Sequence, residues 1–136
     1  MTPKEYLKQI AKYDYMIYAA EEEAQKLRDA LDVKAISYSG DKIQTSPSDI
    51  ADLLARLADM ELENLKRCEE AAKLRTTIIN QILGMDDDVD TALLYQRYVK
   101  CLSLEAIAKK TNYSYDWIKH RHGIALLRFG EKYGPF

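Results

Sequence analysis

Two histidines one residue apart, His120 and His122, stand beside Lys119 and Arg121 in the stretch YSYDWIKHRHG. Side chains of these types hold metals, move protons or bind nucleic acid, and their spacing separates the three. On a helix, residues i and i+2 project about 200° apart, so the two imidazoles fall on different faces. A zinc site needs three or four ligands, and the chain has no third histidine and no CxxC pair; its two cysteines are Cys68 and Cys101. Asp86, Asp87, Asp88 and Asp90 resemble a metal loop at first sight. They lack the glycine and the distal glutamate of a calcium loop, and acids at a helix N-terminus are favoured by its dipole and by capping. No Ser-His-acid spacing, phosphate loop or HExxH motif is present. The expectation is a protein that is not an enzyme and uses no cofactor, metal or small-molecule substrate.

The same residues fit a helix that meets DNA. Ser103 is a natural N-cap for LEAIAKK, in which Leu104, Ile107 and Ala108 share one face and Ala108 is small enough for a second helix to cross closely. Asn112 sits in the turn, where it tolerates a left-handed backbone. Ser114 caps the next helix, whose inward face reads Ile118, His122, Ala125, Leu126 and Phe129. Two helices joined by a short turn, the second with a polar basic front, present a helix to the major groove. On this reading His120 points outward and His122 is a hydrogen-bonded core residue. Tyr95, Tyr98, Tyr113 and Trp117 are packing residues, and Gly123 marks the close approach of another backbone.

The rest of the chain must carry this unit. Tyr6, Ile10, Tyr13, Ile17, Ala20, Ala24, Leu27 and Leu31 alternate in steps of four and three, the seam of a long helix packed against a partner. Thr2 and Pro3 give it a start. Ser, Gly and Pro then break the period, so 33–46 reads as a connection, with a small hairpin around Ser39-Gly40-Asp41 as the alternative. A second helix starts near Ser46-Pro47-Ser48 and ends at Gly84. Its expected seam is Leu54, Ala58, Leu65, Cys68, Ala72, Ile79 and Ile82, widened by Leu53, Leu57 and Leu62 and interrupted by Glu61 and Arg75. Three further helices are expected at 88–100, 103–110 and 114–132. The fold class is therefore all-α: a long antiparallel helical hairpin, 1–84, as a coiled-coil-like arm, followed by a three-helix domain, 85–136. An isolated hairpin of that length leaves apolar surface exposed, which predicts a homodimer through the arm.

The bulk numbers agree with a folded chain: 136 residues, 47% hydrophobic and 31% charged. Residues 1–90 carry 12 Lys/Arg and 19 Asp/Glu, a balance of −7, and residues 91–136 carry 8 and 3, a balance of +5. A basic piece joined to an acidic one points to nucleic acid at the basic end. No apolar run approaches the roughly 18 residues that cross a bilayer. The charged N-terminus, MTPKEYLKQIAKYDY, does not read as a secretory leader, so a cytoplasmic, reduced protein is expected.

LLYQRYVKCLSLEAIAKKTNYSYDWIKHRHGIALLRFGEKY resembles region 4 of bacterial sigma factors, in the variant found in phage and prophage regulators of Gram-positive bacteria, including the ArpU and RinA families. The matching pieces are Leu94 with QRYV, LSLEAIA, YSYDWIK and HGIALL, about the last third of the chain. The loop SYSGDKIQTSPSD resembles such proteins as well. The resemblance implies a sequence-specific transcription regulator in the bacterial host cytoplasm, with double-stranded DNA and RNA polymerase as partners. Carried over by position, Tyr115, Asp116, Lys119 and His120 reach base edges or phosphates, and Ser103 and Lys109 meet backbone phosphates. Ser114 and Arg121 complete the candidate set, although Arg121 stands where the family usually has an apolar residue. Two other functions are compatible: a packaging component resembling small terminase subunits, and an RNA polymerase-binding protein without DNA affinity of its own.

Overall fold

The computed structural model describes residues 1–39 and 47–136, and all regular structure among them is helical. The helices are α1 (Pro3–Ser39), α2 (Pro47–Leu83), α3 (Asp88–Leu94), α4 (Leu104–Thr111) and α5 (Tyr115–Tyr133), with a π-helical turn at Tyr95–Val99. None of them is long and apolar enough to cross a membrane. α1 runs to Ser39, so 33–39, expected as connection, is helical, and Ile36–Tyr38 cannot form the first arm of a hairpin. The remainder of the expected connection, 40–46, lies outside the described residues.

α1 begins where the sequence places its cap. Thr2 and Glu5 form a reciprocal capping box: the Glu5 N–H donates to Thr2 Oγ1 at 3.2 Å, and the Thr2 N–H donates to Glu5 Oε2 at 2.8 Å. The hydrogen bonds from Thr2 hold the Glu5 carboxyl below its ordinary range. α2 ends at Leu83, and Gly84 follows it in a crowded position where a Cβ would lie 2.6 Å from Tyr133 Oη. Gly84 has no left-handed φ, so the close approach of Tyr133, and not a left-handed cap, is what calls for glycine there.

The chain divides into two compact units. One holds residues 15–71. Within it the α1 seam is turned away from water as its spacing implied: Ala24 is buried, and Ile17, Ala20, Leu27 and Leu31 are half-buried. The α2 seam differs from the expectation. Leu53, Leu57, Met60, Asn64, Cys68 and Ala71 are shielded, of which Leu53, Leu57 and Cys68 were expected, and Leu54, Ala58, Leu62 and Leu65 are exposed. The two rows lie about 100° apart on one helix. Asn64 decides between them, because its Nδ2 donates to the Ala20 carbonyl at 2.9 Å and so satisfies a polar group at an inward position. Glu61, expected to interrupt the seam, pairs with Arg28 of α1.

The other unit holds residues 1–14 and 72–136. Its main core joins Leu7 and Ile10 of α1, Ile78 and Ile82 of α2, Leu94 and Tyr98, and Ala125 and Phe129 of α5. The expected boundary at residues 84 and 85 therefore does not coincide with a break in packing. A second cluster of Leu93, Ile107, Ala108 and Ile118 holds α3, α4 and α5 together. Tyr6 Oη donates to Gln81 Oε1 at 2.8 Å, and Arg75 pairs with Asp14 at 2.6 Å. In both units contacts fall at lower numbers on α2 as they rise on α1, as Tyr6–Gln81 with Asp14–Arg75 and Ala20–Asn64 with Arg28–Glu61 record.

Candidate nucleic-acid interface

α3 sets the rotation of α5. Asp87 caps α3, accepting from the Val89 and Asp90 N–H groups at 2.8 and 3.1 Å. Those bonds, the one from Asp90 first, and the Arg121 guanidinium hold its carboxyl below the usual range. Asp90 is fully buried. Arg128 donates to its Oδ2 at 2.9 Å, and Arg121 Nε lies 3.1 Å from its Oδ1 as an ion pair without hydrogen-bond alignment. Arg121 also reaches Asp87 at 2.9 Å, and Lys132 reaches Asp86 at 3.0 Å. The Asp90 carboxylate is the main reason that the Arg128 pKa is raised. Three of the four acids that resemble a metal loop, Asp86, Asp87 and Asp90, are thus the anionic half of an ion-pair network, and among the described residues no group of three or more His, Cys, Asp or Glu is placed to hold a metal.

This network holds Arg121, one of the candidate residues, against Asp87 and Asp90 and away from the front of α5. Residues 121 and 128 are seven apart and share one side of α5, turned towards α3. It also revises the charge reading. Residues 85–136 contain eight Lys/Arg and seven Asp/Glu, a balance of +1, because the acids just before residue 91 belong to the same packed unit.

The α4–α5 connection forms as its residues dictate. Ser103 Oγ accepts from the Ala106 N–H and Ser114 Oγ from the Trp117 N–H, each at 3.1 Å, so both helices begin with a satisfied donor. Asn112 ends α4 with φ 61° and ψ 22°, the left-handed conformation expected of it. Thr111 Oγ1 donates to the Ile107 carbonyl at 2.7 Å. Ile107, Ala108 and Ile118 are buried. Their burial turns the opposite side of α5 outward: Ser114, Tyr115, Asp116, Lys119 and His120 are all exposed. Glu105, Lys109, Asn112, Tyr113 and Tyr115 border a shallow depression beside this front, with Ala108 at its floor. Seven of the eight candidate residues therefore lie on solvent-facing parts of α4 and α5, and Arg121 does not.

The aromatic residues divide. Tyr98 is buried, as the spacing implied. Tyr113 and Trp117, expected to pack inside, are 51% and 38% exposed and stack on each other with centroids 4.2 Å apart. They border an apolar groove with Val89, Ala92 and Leu93 of α3 and Ile107 of α4. Sequence reasoning missed this groove because four-residue spacing marks a shared face without saying whether that face is covered.

His122 is a core residue. Its Nε2 lies 2.8 Å from Tyr98 Oη. Burial, aided by the Arg97 and Lys4 cations, lowers the imidazole pKa to about 4, and burial raises the Tyr98 phenol to about 12. Both groups are thus neutral near pH 7 and share one hydrogen bond, whose direction follows the imidazole tautomer. Gly123 departs from expectation: a Cβ there would meet nothing within 4 Å. The close approach falls at Gly130, where a Cβ would lie 2.8 Å from Pro3 Cγ.

Comparison with protein-family models, curated proteins and solved structures finds no match to this chain.

Proposed function

We propose that the protein is a sequence-specific DNA-binding regulator of phage type, in which α4 and α5 act as a helix-turn-helix and α1 with α2 forms an antiparallel, self-associating arm. The observation that carries this reading is the exposed front of α5. Lys119 and His120 supply donors for guanine acceptors or phosphate, Asp116 an acceptor for a cytosine amino group, and Tyr115 a ring for sugar or a thymine methyl. Ser103 and Lys109 stand at the two ends of α4, where backbone phosphates pass in such an arrangement.

A second reading is supported by the low charge of residues 85–136 and by the apolar groove beside Trp117. In it the same domain docks onto a protein such as RNA polymerase and has no DNA affinity of its own. Fluorescence anisotropy with duplexes from the protein's genomic neighbourhood, at two salt concentrations, separates the two. The DNA reading expects one fragment to bind selectively, with affinity falling steeply as salt rises. It also expects Lys119→Glu to weaken that binding by roughly tenfold or more, the scale of losing one good base or phosphate contact. Unselective binding at low salt, or no effect of Lys119→Glu, refutes it.

A further inference from the structure

α2 carries two apolar rows, and α1 covers one of them. The second contains Leu54, Leu62 and Leu65, which are 51, 57 and 55% exposed, together with the exposed Ala58. Single exposed leucines are ordinary on a surface. A row of them at spacings of three and four along one helix is the pattern of a helix contact without its partner.

The charges beside the row indicate the partner. On its flank away from α1, α2 carries Asp52 and Asp59 in its first half and Lys66, Glu70 and Lys73 in its second, and Glu69 follows Leu65 along the row itself, all exposed. We infer that this face is occupied by the same face of a second copy, with the two α2 helices antiparallel about a two-fold axis beside Leu62. In that orientation Asp52 faces Lys73 and Asp59 faces Lys66 in a single register, since both pairs have the same midpoint. Leu62 then flanks the axis beside its own symmetry mate, Leu65 falls between Ala58 and Leu62 of the second copy, and Leu54 lies next to Ala72. A parallel pair places each of these four charges against its own copy, which is repulsive at every position. The contact runs over residues 52–73, about 33 Å at 1.5 Å per residue. This deepens the self-association part of the proposed function and does not depend on DNA binding by α5.

Sedimentation equilibrium of the full chain tests it, with circular dichroism as the check on folding. The wild type is expected to dimerise. Leu62→Lys is expected to be monomeric with unchanged helicity, because Leu62 is more than half exposed in the single chain. Asp59→Lys and Lys66→Asp each turn two symmetry-related attractions into repulsions and are expected to weaken the dimer by roughly tenfold. The double variant Asp59→Lys/Lys66→Asp is expected to recover to within about threefold of wild type, and only the antiparallel register gives that recovery. The inference is overturned by a monomeric wild type, by a dimer that Leu62→Lys leaves intact, or by a double variant no tighter than the single ones. DNA anisotropy on the Leu62→Lys monomer reports the α5 reading separately.

Discussion

The Tyr98–His122 pair makes stability depend on pH in a window set by the imidazole. The folded pKa of about 4 lies below the ordinary 6.5, so as pH falls the unfolded chain takes up the proton first. The contribution of a neutral His122 is therefore complete above about pH 6.5 and is lost progressively down to about pH 4. Linkage between these two values gives a loss of about 2 kcal/mol by pH 5, within a ceiling of about 3 kcal/mol. Asp87 and Glu5, whose pKa values are lowered, act in the same direction but below about pH 4.5. Urea unfolding of wild type and His122→Gln at pH 7.5, 6 and 5 isolates the effect, because glutamine can still accept from the Tyr98 hydroxyl but takes up no proton. The wild type is expected to lose about 2 kcal/mol relative to the variant between pH 7.5 and 5. Parallel losses in the two proteins would show that the imidazole protonates in the folded state as easily as in water, and the argument from burial would fail.

Further substitutions probe the packing and the candidate interface. Gly130→Ala drives a methyl into the Pro3 ring and is expected to cost about 1–3 kcal/mol, whereas Gly123→Ala enters open space on a helix and is expected to stabilise by about 0.5–1 kcal/mol; thermal melts of both check the contrast. Asn112→Gly is expected to be near neutral and Asn112→Val to cost about 1–2 kcal/mol, because a left-handed backbone disfavours a branched Cβ; urea midpoints at constant m report it. Arg121→Gln is expected to lower the melting temperature while leaving DNA affinity within about threefold, the reverse of Lys119→Glu, because Arg121 is engaged with Asp87 and Asp90. Equal losses of affinity in the two variants would return Arg121 to the DNA-facing set.

The sequence was most legible where one pattern had no rival. The steps of four and three on α1 name a single row, and its members are shielded. Ser103, Asn112 and Ser114 each have a local reason to stand where a helix begins or ends, and each does. α2 was harder because two apolar rows share the helix and propensity cannot rank them. The choice turned on the reach of the Asn64 amide to a carbonyl of α1, which exists only once both helices are placed. The π-helical turn at Tyr95–Val99 carries no proline or glycine to announce it. Arg121 reads as a surface cation beside Lys119 and His120, and only the buried Asp90 shows that it faces the other way.

That placement bears on function through electrostatics. Arg121, Arg128 and Lys132 hold the acids at the start of α3, so they fix the rotation of α5 and contribute little positive field at its front. On the DNA reading, phosphate attraction then falls to Lys109, Lys110 and Lys119, a small number for a site that would have to compete with non-specific DNA. A single domain of this charge gains selectivity from base contacts but little affinity from the backbone. Joining two such domains through their arms raises affinity without adding basic residues, because binding by the first makes binding by the second intramolecular. On the DNA reading, self-association through α2 is therefore a requirement of the weak charge, and a monomeric variant such as Leu62→Lys should keep its sequence preference while binding far less tightly.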